Sequence, residues 1–144
     1  MAELSADETA LLAAAREVAA RAYAPYSGFH VGAAIRAEDG RVFTAANVEN
    51  ASYGLSLCAE TNAAMAAAVA GVRRLTHVAV VGYRAATPTA PALATPCGRC
   101  RQILNEFAGP EARVIIGDAD GSSVLALTLG ELLPHAFGPR QLEP

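Results

Sequence analysis

The stretch CAETNAAMAAAVAGVRRLTHVAVVGY, Cys58 to Tyr83, decides the fold. From Cys58 to Ala70 it is built mainly of strong helix formers, and Gly71 is the residue type that commonly terminates a helix. Val78 to Tyr83 is then a short, nearly continuous apolar run, the pattern of a strand buried on both faces. A helix followed by a doubly buried strand requires layers on both sides of a sheet. The flanks agree with this. Ser5 or Asp7 is placed to cap a first helix running to about Ala22, with Leu11, Leu12, Ala15, Val18 and Ala19 on one face and Pro25 as its stop. His30 to Ala37 and Arg41 to Val48 read as strands joined at the hairpin signal Glu38-Asp39-Gly40. Glu49 to Leu57 is irregular.

Beyond the central strand, Ala85 to Thr95 is a Pro/Thr/Ala loop with the composition of a mobile segment. A third helix starts near Cys97 and stops before Gly109-Pro110. Val114 to Ile116 and Val124 to Leu127 are the last strands, separated by the turn Asp118-Ala119-Asp120-Gly121, and a short helix over Leu129 to Leu133 precedes the tail. The expected architecture is one α/β domain over residues 1–144, helices packed on both faces of a mixed sheet of about five strands.

Composition narrows the function. A hydrophobic fraction of 53% fits a compact, well-covered core. The formal charge of −3 leaves no basic footprint for nucleic acid or an anionic membrane. No apolar stretch is long enough to span a bilayer, since Arg16, Glu17 and Arg21 interrupt the first alanine-rich segment. The segment Met1-Ala2-Glu3-Leu4-Ser5 lacks the basic-then-apolar pattern of an export signal. These features lead us to expect a cytoplasmic protein with reduced thiols.

The chain has 3 cysteines, an odd number that argues against a disulfide framework. Cys58 opens Cys58-Ala59-Glu60, and the other two frame Pro96-Cys97-Gly98-Arg99-Cys100. Residues three apart in a first helical turn share a face, so Cys97 and Cys100 can act together. Cys58 falls at the start of another helix, and helix N-termini favour anions and lower thiol pKa values. Three thiolates hold a zinc ion with its fourth tetrahedral position free, the arrangement of a catalytic site. Glu60, two residues from a ligand, is positioned to shuttle the proton of a zinc-activated water. Competing readings explain less. A Cys97/Cys100 redox pair leaves Cys58 and Glu60 without a role. A structural zinc needs a fourth ligand from His30, His77 or His135, none of which has ligand-like spacing to the cysteines.

Cys58-Ala59-Glu60 together with Pro96-Cys97-Gly98-Arg99-Cys100-Arg101-Gln102 resembles the signature of the zinc-dependent cytidine deaminases, in particular the small homotetrameric type with three cysteine ligands. The likeness extends through Tyr26-Ser27-Gly28-Phe29-His30-Val31-Gly32-Ala33-Ala34, Asn47-Val48-Glu49-Asn50-Ala51-Ser52-Tyr53, and Glu131-Leu132-Leu133-Pro134 to Phe137-Gly138-Pro139. It implies a three-layer α-β-α fold and hydrolytic deamination of cytidine and deoxycytidine to uridine and deoxyuridine, with ammonia released, in pyrimidine salvage. It implies one Zn²⁺ per chain on Cys58, Cys97 and Cys100, and Glu60 as the group that protonates N3 and then the departing amine. Ala59 then lines the pocket, Asn47 and Glu49 bind the ribose, and Phe29 packs against the pyrimidine. Ala51, Tyr53 and Phe137 complete pockets between subunits of a homotetramer with shared active sites.

One position departs from that pattern. The family usually carries Arg directly after the catalytic Glu, where it hydrogen-bonds the ligand thiolates, and this chain has Thr61. Three thiolates over-neutralise Zn²⁺ and weaken it as a Lewis acid. Helix N-termini, Arg99 or Arg101 are the candidates to compensate. Among related activities, deamination of an antibiotic nucleoside of the blasticidin S type is the alternative, and the Asn47/Glu49 pair with Phe29 favours ordinary nucleosides.

Overall fold

The computed structural model describes residues 2–144. Helix α1 spans Ala6–Ala19 and starts at a reciprocal cap. The Glu8 N–H donates to Ser5 Oγ at 3.1 Å and the Ser5 N–H to Glu8 Oε2 at 3.0 Å, so two of the amides left over at the helix start are satisfied. Of the two expected caps, the structure selects Ser5. The helix ends at Ala19, short of Ala22, and Pro25 is not what ends it. Tyr23 is drawn instead into a bridge with Val48, its N–H donating to the Asn47 carbonyl at 3.0 Å. That tertiary pairing outweighs the helical preference of Ala20 to Ala22.

The strands are β1 (Phe29–Ala37), β2 (Val42–Ala46), β3 (Leu75–Arg84), β4 (Ala108–Gly117) and β5 (Val124–Thr128). Helices α2 (Ala59–Val69), α3 (Gly98–Phe107) and the single turn α4 (Leu129–Leu132) alternate with them, and Pro139–Leu142 forms a short 3-10 turn in what the sequence left as a tail. The sheet order is β2-β1-β3-β4-β5, with β3 and β4 parallel and the other pairs antiparallel. This is the mixed five-stranded sheet that the sequence predicts.

Strand alternation sorts the core into two layers. Ala33, Ile35, Val78, Val80, Val114 and Ile116 point towards α2, α3 and α4. Ala34, Ala79, Val81 and Ile115 point towards Leu11, Leu12 and Ala15 of α1. Helices thus cover both faces, as a strand such as Val78–Val81 demands. Gly32 lets α1 lie directly on β1, because a Cβ there would run into the Ala15 carbonyl and the Ala19 backbone.

The expected strand ends moved where partners dictate. β3 extends back to Leu75 because it is hydrogen-bonded on both sides. β4 begins immediately after α3, and its pairing breaks between Ala108 and Arg113. Pro110, which has no N–H, falls in that irregular stretch rather than marking a loop. β2 ends at Ala46, because Val48 leaves the ladder to bridge Tyr23 on one side and Leu57 on the other.

Candidate metal centre and cleft

The Val48–Leu57 bridge sets the residue before Cys58 against the segment that carries Asn47 and Glu49. Cys58 is the N-cap of α2 and Cys97 the N-cap of α3, both without a side-chain capping bond. The first amides of each helix therefore have no intrahelical or side-chain partner at their caps and favour negative charge beside them. Cys100 lies within the first turn of α3 and is fully buried. The frame is tied by polar side chains. Asn62 Nδ2 donates to the Ala46 carbonyl at 2.9 Å, holding α2 to the end of β2. Arg101 donates to the Pro96 carbonyl at 2.7 Å and the Leu132 carbonyl at 2.9 Å, holding the start of α3 to α4.

The three sulfurs lie within 4.8 Å of one another, and Cys58 Sγ is 3.9 Å from Cys97 Sγ. A tetrahedral zinc with Zn–S bonds of about 2.3 Å separates its sulfurs by about 3.8 Å, so the donor set and spacing fit that ion. Among the described residues no His, Asp or Glu joins the cluster. His77 is instead hydrogen-bonded through Nδ1 to Thr76 Oγ1 at 2.9 Å. Three protein ligands leave one tetrahedral position to a small molecule. A redox pair made of Cys97 and Cys100 alone does not account for Cys58 against Cys97.

The hydrogen bond of Cys100 to Cys58, then burial, push the Cys100 thiol well above the usual thiol range, and the same bond lowers Cys58. A coordinated dication would favour the thiolate at all three positions, since a coordinating thiol is deprotonated outright. Glu60, in the first turn of α2, is only 4% exposed. Burial pushes its carboxyl up, against the opposing pull of its own N–H and of Cys100. Thr61, beside it, is also buried, with Oγ1 3.3 Å from Cys100 Sγ. Of the groups named to offset thiolate charge, Arg101 is committed to two carbonyls and Arg99 is exposed.

Cys58, Ala59, Glu60 and Cys97 line a cleft of about 460 Å³, whose other walls include Phe29, Asn47 and Glu49. The expected nucleoside-contacting residues of one chain are thus gathered in one place, except Ala51, Tyr53 and Phe137. Those three are exposed and do not line the cleft of their own chain; Tyr53 is 73% and Phe137 59% exposed.

Asn47 and Glu49 also have structural duties. Asn47 Oδ1 accepts from the Val31 N–H at 2.8 Å and its Nδ2 donates to the Phe29 carbonyl at 2.9 Å. Glu49 Oε1 accepts from the Tyr26 and Ser27 N–H groups at 3.0 and 3.1 Å, and Oε2 from the Ser27 hydroxyl. The Ser27 hydroxyl, then the backbone bonds, hold the Glu49 carboxyl below the usual range. Both side chains retain acceptor or donor capacity for a ligand.

The sequence reading missed the wall formed by Leu93, Ala94 and Thr95, together with Ser56 and Val31. The last three residues of the supposedly mobile loop are part of the cleft. One signal pointed there. Gly82 interrupts the buried strand, and an interior strand glycine often marks a close approach. A Cβ at position 82 would collide with Ala94 and crowd the Phe29 ring.

Two helices that begin at a cysteine and open on one cleft of an α-β-α sandwich, with a third cysteine beside them, have the donor set of a metal-dependent hydrolase. Residues 5–117 match the model of the cytidine and deoxycytidylate deaminase zinc-binding region. The cytidine deaminase of Mycobacterium tuberculosis is 45% identical over 124 residues, covering 86% of this chain and 84% of its own. That of Halalkalibacterium halodurans is 41% identical over 131 residues, covering 91% and 94%. The crystal structure of cytidine deaminase from Burkholderia pseudomallei superposes with a TM-score of 0.82 at 41% identity, covering 93% of this chain and 100% of that one. This chain belongs to the zinc-dependent cytidine deaminase family.

Proposed function

We propose that this chain replaces the C4 amine of cytidine and deoxycytidine with oxygen from water, giving uridine or deoxyuridine and ammonia in pyrimidine salvage. The observation that carries the reading is the pairing of a zinc-compatible sulfur triad with a buried carboxyl, Glu60, in one cleft. Zinc, held by Cys58, Cys97 and Cys100, supplies the Lewis acidity that makes water a nucleophile near neutral pH. Glu60 would carry the first proton of the attacking water to N3 of the base, and then the second, from the new C4 hydroxyl, to the leaving amine as the C4–N bond breaks and the C4 carbonyl forms. A carboxyl with its pKa raised by burial suits both acceptance and donation. Phe29 stacks against the pyrimidine, Ala59 lines the base edge, and Asn47 and Glu49 take the ribose hydroxyls.

The same reading has residues 1–144 acting as one domain, in the cytoplasm, as a homotetramer with shared sites. No helix of the described residues is long and apolar enough to cross a membrane. The exposure of Tyr53, Leu55, Val69, Phe137 and Leu142 supports association, because these large apolar groups otherwise face water. The test is deamination of cytidine, deoxycytidine and blasticidin S by the purified protein, with zinc quantified on the same sample. Uridine formation with about one zinc per chain is the expected result. Zinc without turnover of either cytosine nucleoside overturns the substrate assignment, and absence of zinc overturns the metal assignment.

A further inference from the structure

Cys58 and Cys97 each cap a helix, so unpaired backbone amides lie beside their sulfurs. Cys100 is inside the first turn of α3 rather than at its cap, and it is fully buried. A buried thiolate without a donor is costly, because low dielectric magnifies uncompensated charge. The group that meets it is the Thr61 hydroxyl, 3.3 Å from Cys100 Sγ and itself only 5% exposed. A helical threonine commonly donates to the carbonyl four residues earlier. Here that carbonyl, of Leu57, lies before the helix cap and already accepts from the Val48 N–H at 3.0 Å. A metal-bound thiolate carries no proton, so in that state the hydroxyl is the donor.

We propose that Thr61 is a positioning residue for the metal, its hydroxyl offsetting the charge on the Cys100 thiolate and setting how tightly this chain holds zinc. The inference rests on the zinc assignment above. Groups that hydrogen-bond metal ligands typically tune affinity by about 10–100-fold. Thr61→Val removes the hydroxyl and keeps the shape, whereas Thr61→Ser keeps the hydroxyl.

The experiment measures zinc affinity by chelator competition for the wild type and both variants, alongside the thermal midpoint of each apoprotein. Thr61→Val should bind zinc about 10–100-fold more weakly, with Thr61→Ser close to wild type and the apoprotein midpoints similar. With Co²⁺ in place of zinc, losing the donor should move the sulfur-to-cobalt charge-transfer band of Thr61→Val to lower energy. Equal zinc affinity and an unmoved band in Thr61→Val overturn the proposal while leaving the zinc assignment intact. A wild type that binds no zinc overturns both. Should Thr61→Val not fold, Thr61→Ser against Thr61→Ala isolates the same oxygen, and equal affinity in that pair is the overturning result.

Discussion

Glu60 and Cys58 are two residues apart, yet the fold gives them opposite environments. The carboxyl is buried and pushed towards its neutral form, while the half-exposed Cys58 thiol is lowered. That contrast suits a proton carrier next to a metal ligand. Glu60→Gln keeps the volume and hydrogen-bonding reach of the side chain but cannot carry a proton. We expect it to retain zinc and the fold while turnover falls by at least about 10²–10⁴-fold, measured by steady-state deamination and metal content. Undiminished turnover would remove Glu60 from the mechanism. Cys97→Ala should lose tight zinc binding, since two thiolates remain where three held the ion, and a variant that still titrates with one tightly bound zinc would contradict the ligand assignment.

Helix α1 is far from the sulfurs but holds the sheet that orients them, and two contacts make its docking testable. Gly32 leaves no space for a side chain beneath α1. Gly32→Ala should destabilise the fold by about 1–3 kcal/mol through overpacking, read as a lower midpoint in denaturant with an unchanged slope. The second contact is electrostatic. Arg113 Nε donates to Glu8 Oε1 at 2.9 Å, and that bond, with the Ser5 amide, holds the Glu8 carboxyl below its usual range despite burial. A carboxyl lowered on folding stabilises the protein above its unfolded pKa, and that contribution is lost as pH falls through the folded value. Glu8→Gln should therefore show a shallower loss of stability than the wild type between about pH 5 and 3, followed by thermal melts across that range. An identical pH slope would mean that Glu8 is not coupled to folding.

At the scale of the whole molecule, the residues a single chain leaves outside its own cleft become informative. Phe137 is exposed, although its carbonyl is anchored by Gln102 Nε2 at 2.8 Å and Asn105 Nδ2 at 3.1 Å. A fixed backbone under an exposed aromatic suits a side chain offered to a neighbouring copy. If sites are shared, Phe137→Ala should lower activity. Mixing Phe137→Ala with Glu60→Gln under subunit exchange should then restore part of it, because hybrid sites recover an intact Glu60 from one chain and an intact Phe137 from another. Light scattering should give the mass of a tetramer. No recovery in a mixture shown to have exchanged subunits would argue that each site is complete within one chain.

Local chemistry let the sequence determine the elements and the ion. The run from Cys58 to Tyr83 announces a helix and a buried strand, and three cysteines with a neighbouring Glu60 announce an open zinc site, because composition and short spacing carry those signals. The ends of elements were less legible. Where α1 stops depends on the Tyr23–Val48 bridge, and where β4 begins depends on its pairing with β3, both contacts between distant parts of the chain. The Leu93–Thr95 wall and the Thr61–Cys100 contact likewise join segments that no local pattern relates. Only the packed tertiary structure decides such things, since a hydrogen bond or a cavity wall depends on distance in space and sequence spacing does not encode it.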